Sequence, residues 1–201
     1  MQKFILKELK ATREVVSKIE ADPTFLNEIQ KIITICVQAL NAGNKMFFAG
    51  NGGSAADSQH LAAELVSRLR YNRPGLAGIA LTTDTSGLTA IGNDYAFEEV
   101  FSRQLEAIGQ QGDIFIGIST SGNSANILRA FEVAGQKGIT RIGFTGQQGG
   151  KMQECCDYIL NVPSNCTPKI QEAHITLGHI ICAMIEEEIY GAAYNPERSQ
   201  V

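Results

Sequence analysis

Apolar positions along the chain change their spacing near residue 45, and that change divides the sequence into two regimes. In "MQKFILKELKATREVVSKI", Ile5, Leu9, Thr12, Val16 and Ile19 recur at helical spacing with charges between them. The break Ala21-Asp22-Pro23-Thr24 offers an N-cap and a proline suited to a first helical turn. A second amphipathic helix is predicted from Phe25 to Leu40, closed by Asn41-Ala42-Gly43. Both helices precede any strand. The first is expected to pack on a neighbour, either within its own domain or on another subunit.

From Lys45 onward, short apolar runs alternate with helical stretches. The runs are "KMFFAG" (45–50), "LAGIAL" (76–81), "DIFIGI" (113–118), "TRIGFTG" (140–146) and "DYILNV" (157–162). Helices are expected around His60, over 97–108, after Asn123 and from Pro168 to Tyr190, with a short segment near Met152 and a polar break between the second run and residue 97. Runs this short and apolar, alternating with helices, predict βαβ units. The expected fold is α/β: a doubly wound, five-stranded parallel sheet flanked by helices. One domain accounts for 1–201, with N-terminal helices (1–44), a core (45–191) and a loose tail (192–201). Ligands of such sheets bind beyond the carboxyl ends of the strands, at helix N-termini.

Two strand-to-helix loops fall at those positions. The first is Gly50-Asn51-Gly52-Gly53-Ser54, where glycines let the backbone approach a ligand and the next helix offers unpaired N–H groups. It also satisfies the weak dinucleotide pattern G-x-G-x-x-A through Gly50, Gly52 and Ala55, with Asp84 as a candidate ribose acid. Asp84 lies further on than that fingerprint expects, and no Lys-Ser/Thr follows to make a P-loop. The second loop, "ISTSGNSANI", places Ser119, Thr120, Ser121 and Ser124 around a glycine, with Asn123 or Ser121 as the predicted N-cap. One cap needs one hydroxyl, and four at a helix start suit a compact dianion such as a terminal phosphate. A dinucleotide would leave the second loop unexplained. One small sugar phosphate gripped at both ends uses both.

The helix after the first loop carries His60 and Glu64 four residues apart, on one face. Taken alone, such a couple is an ordinary helix-surface ion pair. Here its neighbours in "SQHLAAEL" are small and apolar, and a matching stripe recurs on the last helix, where Gln171 and His179 lie eight residues apart. His174 and Glu172 fall on other faces. If the two helices meet, His60, Glu64, Gln171 and His179 form a cluster. Two imidazoles and a carboxylate suit Zn²⁺ or a similar ion, and the same groups can act as a carboxylate base and an imidazole acid.

Composition narrows the partners. A formal charge of −4 over 201 residues argues against nucleic-acid binding through a basic surface. No signal peptide and no membrane span are expected, because neither pattern of apolar residues is present. The five cysteines are odd in number and lack CxxC spacing, as expected of reduced thiols in a cytoplasmic protein.

The segments "GNGGSAADSQHLAAEL", "NRPGLAGIAL", "AIGNDYAFEEVFSRQLEA", "GDIFIGISTSGNSANILRA" and "IQEAHITLGHII" closely resemble phosphoheptose isomerases of the sugar-isomerase (SIS) domain superfamily. The resemblance covers nearly the whole chain, to about Gly191. It implies a flavodoxin-like SIS fold and an aldose–ketose isomerase. That enzyme would convert sedoheptulose 7-phosphate to D-glycero-D-manno-heptose 7-phosphate through an enediol, at the start of nucleotide-activated heptose synthesis for lipopolysaccharide or related glycans. It further implies a cytoplasmic homotetramer with sites at subunit interfaces, no nucleotide cofactor, and neither nucleic acid nor membrane as partner. Ser119, Thr120, Ser121 and Ser124 would hold the phosphate. Asn51, Gly52 and Gly53 would line the sugar with Ser54 nearby, and Asn93 and Asp94 would reach its hydroxyls. Glu64 and His179 would be the acid–base pair, with Gln171 also touching substrate. His60, Glu64, Gln171 and His179 would match the zinc site of some members. Lys169 stands where the family pattern has Arg. The competing implication is a non-catalytic SIS binding module of the kind that associates with a replication initiator. In such relatives the equivalents of Glu64 and His179 are replaced, whereas here both are present.

Overall fold

The computed structural model describes residues 1–197. Helix α1 (Gln2–Glu20) and helix α2 (Pro23–Asn41) come first, the second capped by Asp22, whose side chain accepts from the Thr24 and Phe25 N–H groups. Then follow β1 (Met46–Gly50), α3 (Gly53–Val66), β2 (Gly78–Ala80), α4 (Thr85–Asp94), α5 (Ser102–Ile108), β3 (Ile114–Ile118), α6 (Ala125–Gln136), β4 (Thr140–Thr145), β5 (Tyr158–Asn161) and α7 (Thr167–Tyr194). Short 3₁₀ turns occupy Phe97–Glu99 and Gly150–Glu154. All strand pairs are parallel, in the order β2-β1-β3-β4-β5.

Alternate residues of each strand face opposite layers, which is why the strands read as unbroken apolar runs. Met46, Phe48, Ile114, Ile116, Ile118, Ile142 and Phe144 meet α2, α3, α7 and the end of α1. Phe47, Ala49 and Phe115 turn the other way, toward Phe101, Leu105, Ile127 and Phe131 of the α5–α6 layer. Gly117 belongs to that second face, because a Cβ there would sit 2.6 Å from the Phe131 ring.

Three expectations change. Residues 85–94 form a helix rather than a polar break; α4 fully buries none of its residues and sets only the half-buried Leu88 and Ile91 on the core, too short an apolar stripe to read. The stretch 97–108 is not one helix but a 3₁₀ turn followed by α5. Helix α7 runs to Tyr194, through three residues expected to be loose. Ala192 and Ala193 are strong helix formers, and the Tyr190 and Tyr194 rings meet edge to face 5.5 Å apart. Of the rest of the expected tail, Asn195, Pro196 and Glu197 leave the helix in a turn in which the Glu197 N–H donates to Asn195 Oδ1 at 2.9 Å, and 198–201 lie outside the described residues.

On α1, Val15 and Ile19 are buried, while Ile5, Leu9 and Val16 stay exposed. With Leu26, Ile180 and Met184 they leave an apolar flank, part of it a groove of about 500 Å³ between α1, α2 and α7. Lys169 joins the two ends of this layer: its ammonium bonds Thr12 and Glu172 at 3.0 Å and faces Glu8. None of the described helices is long and apolar enough to cross a membrane. The five cysteines are free thiols.

Candidate active site

The site is assembled where β1 and β3, neighbours at the centre of the sheet, release the chain to opposite faces. After β1 the backbone turns through Gly52, whose φ of 56° a side chain would resist, and enters α3 at Gly53. A Cβ at Gly52 would meet nothing within 4 Å, so the space above the start of α3 is open to a ligand. After β3 the chain passes Ser119–Ser124 and turns through Gly122 at φ +66°. A side chain at Gly122 would overlap the Gly149 carbonyl, and one at Gly150 would lie 2.5 Å from the Ser121 carbonyl. The hydroxyl loop is thus pressed against the loop that follows β4.

Within that loop the cap differs from expectation. Ser124 is the N-cap of α6, yet its hydroxyl makes no capping bond and instead meets Ser119 Oγ at 2.8 Å. Ser121 Oγ accepts from the Asn123 N–H at 3.2 Å and lies 3.4 Å from Ser119 Oγ. Three hydroxyls therefore converge beside a helix start, and none of them caps its N–H groups. Thr120 and Ser121 line a polar cleft of about 340 Å³, completed by Gly146, Gln147, Ser164 and Thr167. The first three of these come from the loops after β4 and β5, which carried no periodicity to mark them, and Thr167 opens α7.

The first loop is fixed by a residue that sequence reasoning missed. Asn51 and Asn126 exchange amide hydrogen bonds of 2.9 and 2.8 Å, locking the start of α3 to the buried first turn of α6. The only sequence signal was its place in "STSGNSAN". Ser54 is buried rather than lining open space, its carbonyl accepting from Ser58 Oγ at 2.8 Å.

Helices α3 and α7 run side by side in the same direction. Gly178 receives Leu61, and a Cβ at Gly178 would approach the Leu61 methyls to 2.6 Å. This close approach brings His60 Nε2 to 2.8 Å from His179 Nε2, with the rings edge to face, and places Glu64 Oε1 3.1 Å from His60 Nε2. One ligand atom from each of His60, Glu64 and His179 lies within 4.8 Å of the others. Three of the four expected cluster members thus meet. The fourth, Gln171, sits two turns nearer the helix starts, its carboxamide over Gly53, where an added Cβ would come within 2.6 Å of Nε2. It makes no hydrogen bond to another described residue. As expected, His174 and Glu172 stand outside the cluster. His174 Nε2 lies 3.1 Å from the Thr145 carbonyl, and burial pushes its imidazole down to about 4.

Asp57 lies on α3 between Gly53 and His60 and was not anticipated. Its Oδ2 is buried without a hydrogen-bond partner, and burial raises its carboxyl above the usual range, against the pull of nearby His60. Asn93 and Asp94 end α4, where Asn93 Nδ2 donates to Asp94 Oδ1 at 2.8 Å; no hydrogen bond joins them to the other expected site residues. Asp84 is the N-cap of α4, its Oδ1 accepting from the Gly87 N–H at 3.0 Å, so it serves the helix rather than a ribose.

The SIS domain family model matches residues 9–146. The chain is 54% identical over 190 residues to a phosphoheptose isomerase of Aneurinibacillus thermoaerophilus, covering 94% of this chain and 96% of the relative. It is 56% identical over 181 residues to phosphoheptose isomerase 2 of Campylobacter jejuni, covering 90% of each. The chain belongs to the phosphoheptose isomerase family. A solved phosphoheptose isomerase from Neisseria gonorrhoeae superposes with a TM-score of 0.87 at 41% identity, over 92% of this chain and 98% of that one. The order β2-β1-β3-β4-β5 with two leading helices is thus the SIS fold of this isomerase family.

Proposed function

We propose that the chain is an aldose–ketose isomerase acting on sedoheptulose 7-phosphate and yielding D-glycero-D-manno-heptose 7-phosphate. The observation that carries the chemistry is the meeting of Glu64 and His179 around His60, on two helices whose starts lie beside the hydroxyl loop. Helix α7 spans the distance: Ile170 lines the cleft with Thr120 and Ser121, and His179 stands roughly 13 Å further along. An open-chain seven-carbon sugar with a terminal phosphate bridges such a span, phosphate at one end and C1–C2 at the other.

Ser119, Thr120, Ser121 and Ser124 hold the phosphate and orient the chain remotely from the reacting carbons. Asn51, Gly52, Gly53, Gln171, Asn93 and Asp94 contact the sugar. Glu64 takes a proton from C1 of the ketose while His179 gives one to the C2 oxygen, forming the enediol. His179 then receives the proton of the C1 hydroxyl as the C1 carbonyl forms, and Glu64 returns its proton to C2. Glu64 Oε1 faces His60 and Oε2 makes no hydrogen bond within the described residues, so one oxygen remains for proton transfer.

The donor set of two imidazole nitrogens and a carboxylate oxygen, close enough to share one ion, fits zinc. His60, Glu64 and His179 would hold it, His179 through one ring nitrogen with the other left for proton transfer, and Gln171 would join only after its carboxamide leaves Gly53. Zinc, when bound, supplies Lewis acidity to the sugar carbonyl. The apolar flank of α1, α2 and α7 supports self-association, and a cytoplasmic homotetramer with sites near subunit boundaries is our reading of it. The non-catalytic binding module is disfavoured, because its defining losses, at Glu64 and His179, have not occurred.

The test is turnover of sedoheptulose 7-phosphate by the purified protein, before and after chelation and after zinc return. Turnover lost to chelator and restored by zinc is expected. Turnover indifferent to chelator would remove zinc and keep the acid–base pair. No turnover under any metal condition would overturn the isomerase.

A further inference from the structure

Arg73 and Glu186 form an ion pair whose side chains are wholly withdrawn from solvent, and neither has a place among the residues above. Glu186 stands on α7 seven residues after His179, two turns along the same side. Its Oε1 accepts from the Leu69 N–H at 3.0 Å and from Arg73 Nε at 2.9 Å, and its Oε2 accepts from the Arg70 N–H at 2.9 Å. The guanidinium then reaches the end of α3. Nη2 donates to the Glu64 carbonyl at 2.8 Å; Nη1 donates to the carbonyls of Leu65 at 2.7 Å, Ser67 at 3.1 Å and Pro74 at 3.0 Å. The Glu64 and Leu65 carbonyls belong to the last turn of α3, where no intrahelical donor remains and a cation also meets the negative end of the helix.

One ion pair therefore grips the backbone of Glu64, the proposed base, and ties it to α7 two turns beyond His179. Stability alone is a poor account of it, since buried ion pairs are often replaced by apolar residues without loss. The seam already has apolar contact, with Leu61 seated on Gly178. Such contact is non-directional and leaves α3 free to slide or turn by a few tenths of an ångström. Directed bonds to specific carbonyls do not.

We infer that Arg73 and Glu186 are positioning residues whose ion pair sets the separation of the Glu64 carboxylate from the His179 imidazole. The activity arm of the test rests on the isomerase reading; the spectroscopic arm does not. The variant is the double replacement Arg73→Met/Glu186→Leu, because either single change strands a buried charge. The expected result is a melt that stays cooperative but falls by several degrees, because the Leu69 and Arg70 N–H groups and the Glu64, Ser67 and Pro74 carbonyls lose their partners. The kcat falls about tenfold or more while KM for sedoheptulose 7-phosphate stays within about twofold, since the hydroxyl loop is untouched. The side-chain imidazole NMR signals of His60 and His179 shift, and those of His174 do not. Unchanged kcat and imidazole signals in the folded double variant would overturn the inference, as would a rise in KM that accounts for the whole loss. If the double variant does not fold, Arg73→Lys is measured in the same way, since one ammonium cannot reach Glu186 and four carbonyls together. If the unaltered protein shows no turnover, the isomerase reading fails and the imidazole signals alone decide.

Discussion

Replacing Gly53 with alanine separates what the start of α3 needs for folding from what it needs for chemistry. Gly53 has no left-handed φ, so alanine fits its backbone. In the unfolded chain, alanine removes conformational freedom that glycine has, which stabilises the native state by about 0.4–1 kcal/mol at a compatible position. In a chain of this size that raises Tm by roughly 1–4 °C. The new Cβ, however, would lie 2.6 Å from Gln171 Nε2 and 3.0 Å from its Cδ. To regain ordinary contact the carboxamide must retreat by about 0.8 Å, which is cheap, because it is the far end of a flexible side chain without a hydrogen bond to break. If Gln171 touches the sugar, a displacement near 1 Å costs on the order of 10²-fold in rate. Gly53→Ala should therefore melt slightly higher than the parent and turn over sedoheptulose 7-phosphate about a hundredfold more slowly. Calorimetry and an initial-rate assay on one preparation decide it. Undiminished turnover would refute the placement of Gln171 on the substrate. A drop in Tm of several degrees would refute the claim that the carboxamide yields.

Glu64→Gln and His179→Gln should each lower kcat by about 10²–10⁴ with little change in KM, measured by steady-state kinetics; retained turnover in either removes that residue from proton transfer. Gly122→Ala introduces a strained φ and an overlap with the Gly149 carbonyl, which should distort the hydroxyl loop and weaken binding of inorganic phosphate by roughly tenfold or more, measured as competitive inhibition. His174 gives a pH effect on stability. The unfolded chain takes up a proton near 6.5 and the native chain only near 4, so stability falls as pH drops through that window, by roughly 3 kcal/mol in all. His174→Gln should flatten that part of the slope in urea unfolding at pH 7 and 5; an unchanged slope would show that His174 is not the group responsible.

The parts legible in sequence were those in which burial imposed a pattern. Met46–Ala49 and Ile114–Ile118 are apolar on both alternations because helices cover both faces, and the loops after them announced themselves through glycine and serine. His60, Glu64 and His179 could be aligned because helical spacing puts each set on one stripe. Helix α4 was invisible because it fully buries none of its residues, and the cap fell on Ser124 rather than on Asn123 or Ser121 because loop conformation, not residue type, selects which residue precedes the first turn. Gln171 was grouped with the ligands by its stripe, yet a stripe does not say at what height along α3 it lands; Gly53, lacking a side chain, determines that. Asn126 and Arg73 are polar residues made significant by partners far away in sequence, Asn51 and Glu186, and Asp57 by burial; no local pattern records either.

The contact between His60 and His179 joins residues 119 positions apart, one on α3 and the other on α7. Closing a loop of that length costs more entropy than forming a local contact, so the pairing of His60 with His179 is expected to follow formation of the helices that carry them. Until α7 docks, the side of the sheet that carries Ile116 and Phe144 is covered only in part, by α2 and α3, and a chain lacking that helix presents an adhesive surface rather than a weakened enzyme. Catalysis in this architecture therefore depends on α7 twice over, because one helix supplies both part of the cover of the core and half of the reacting pair.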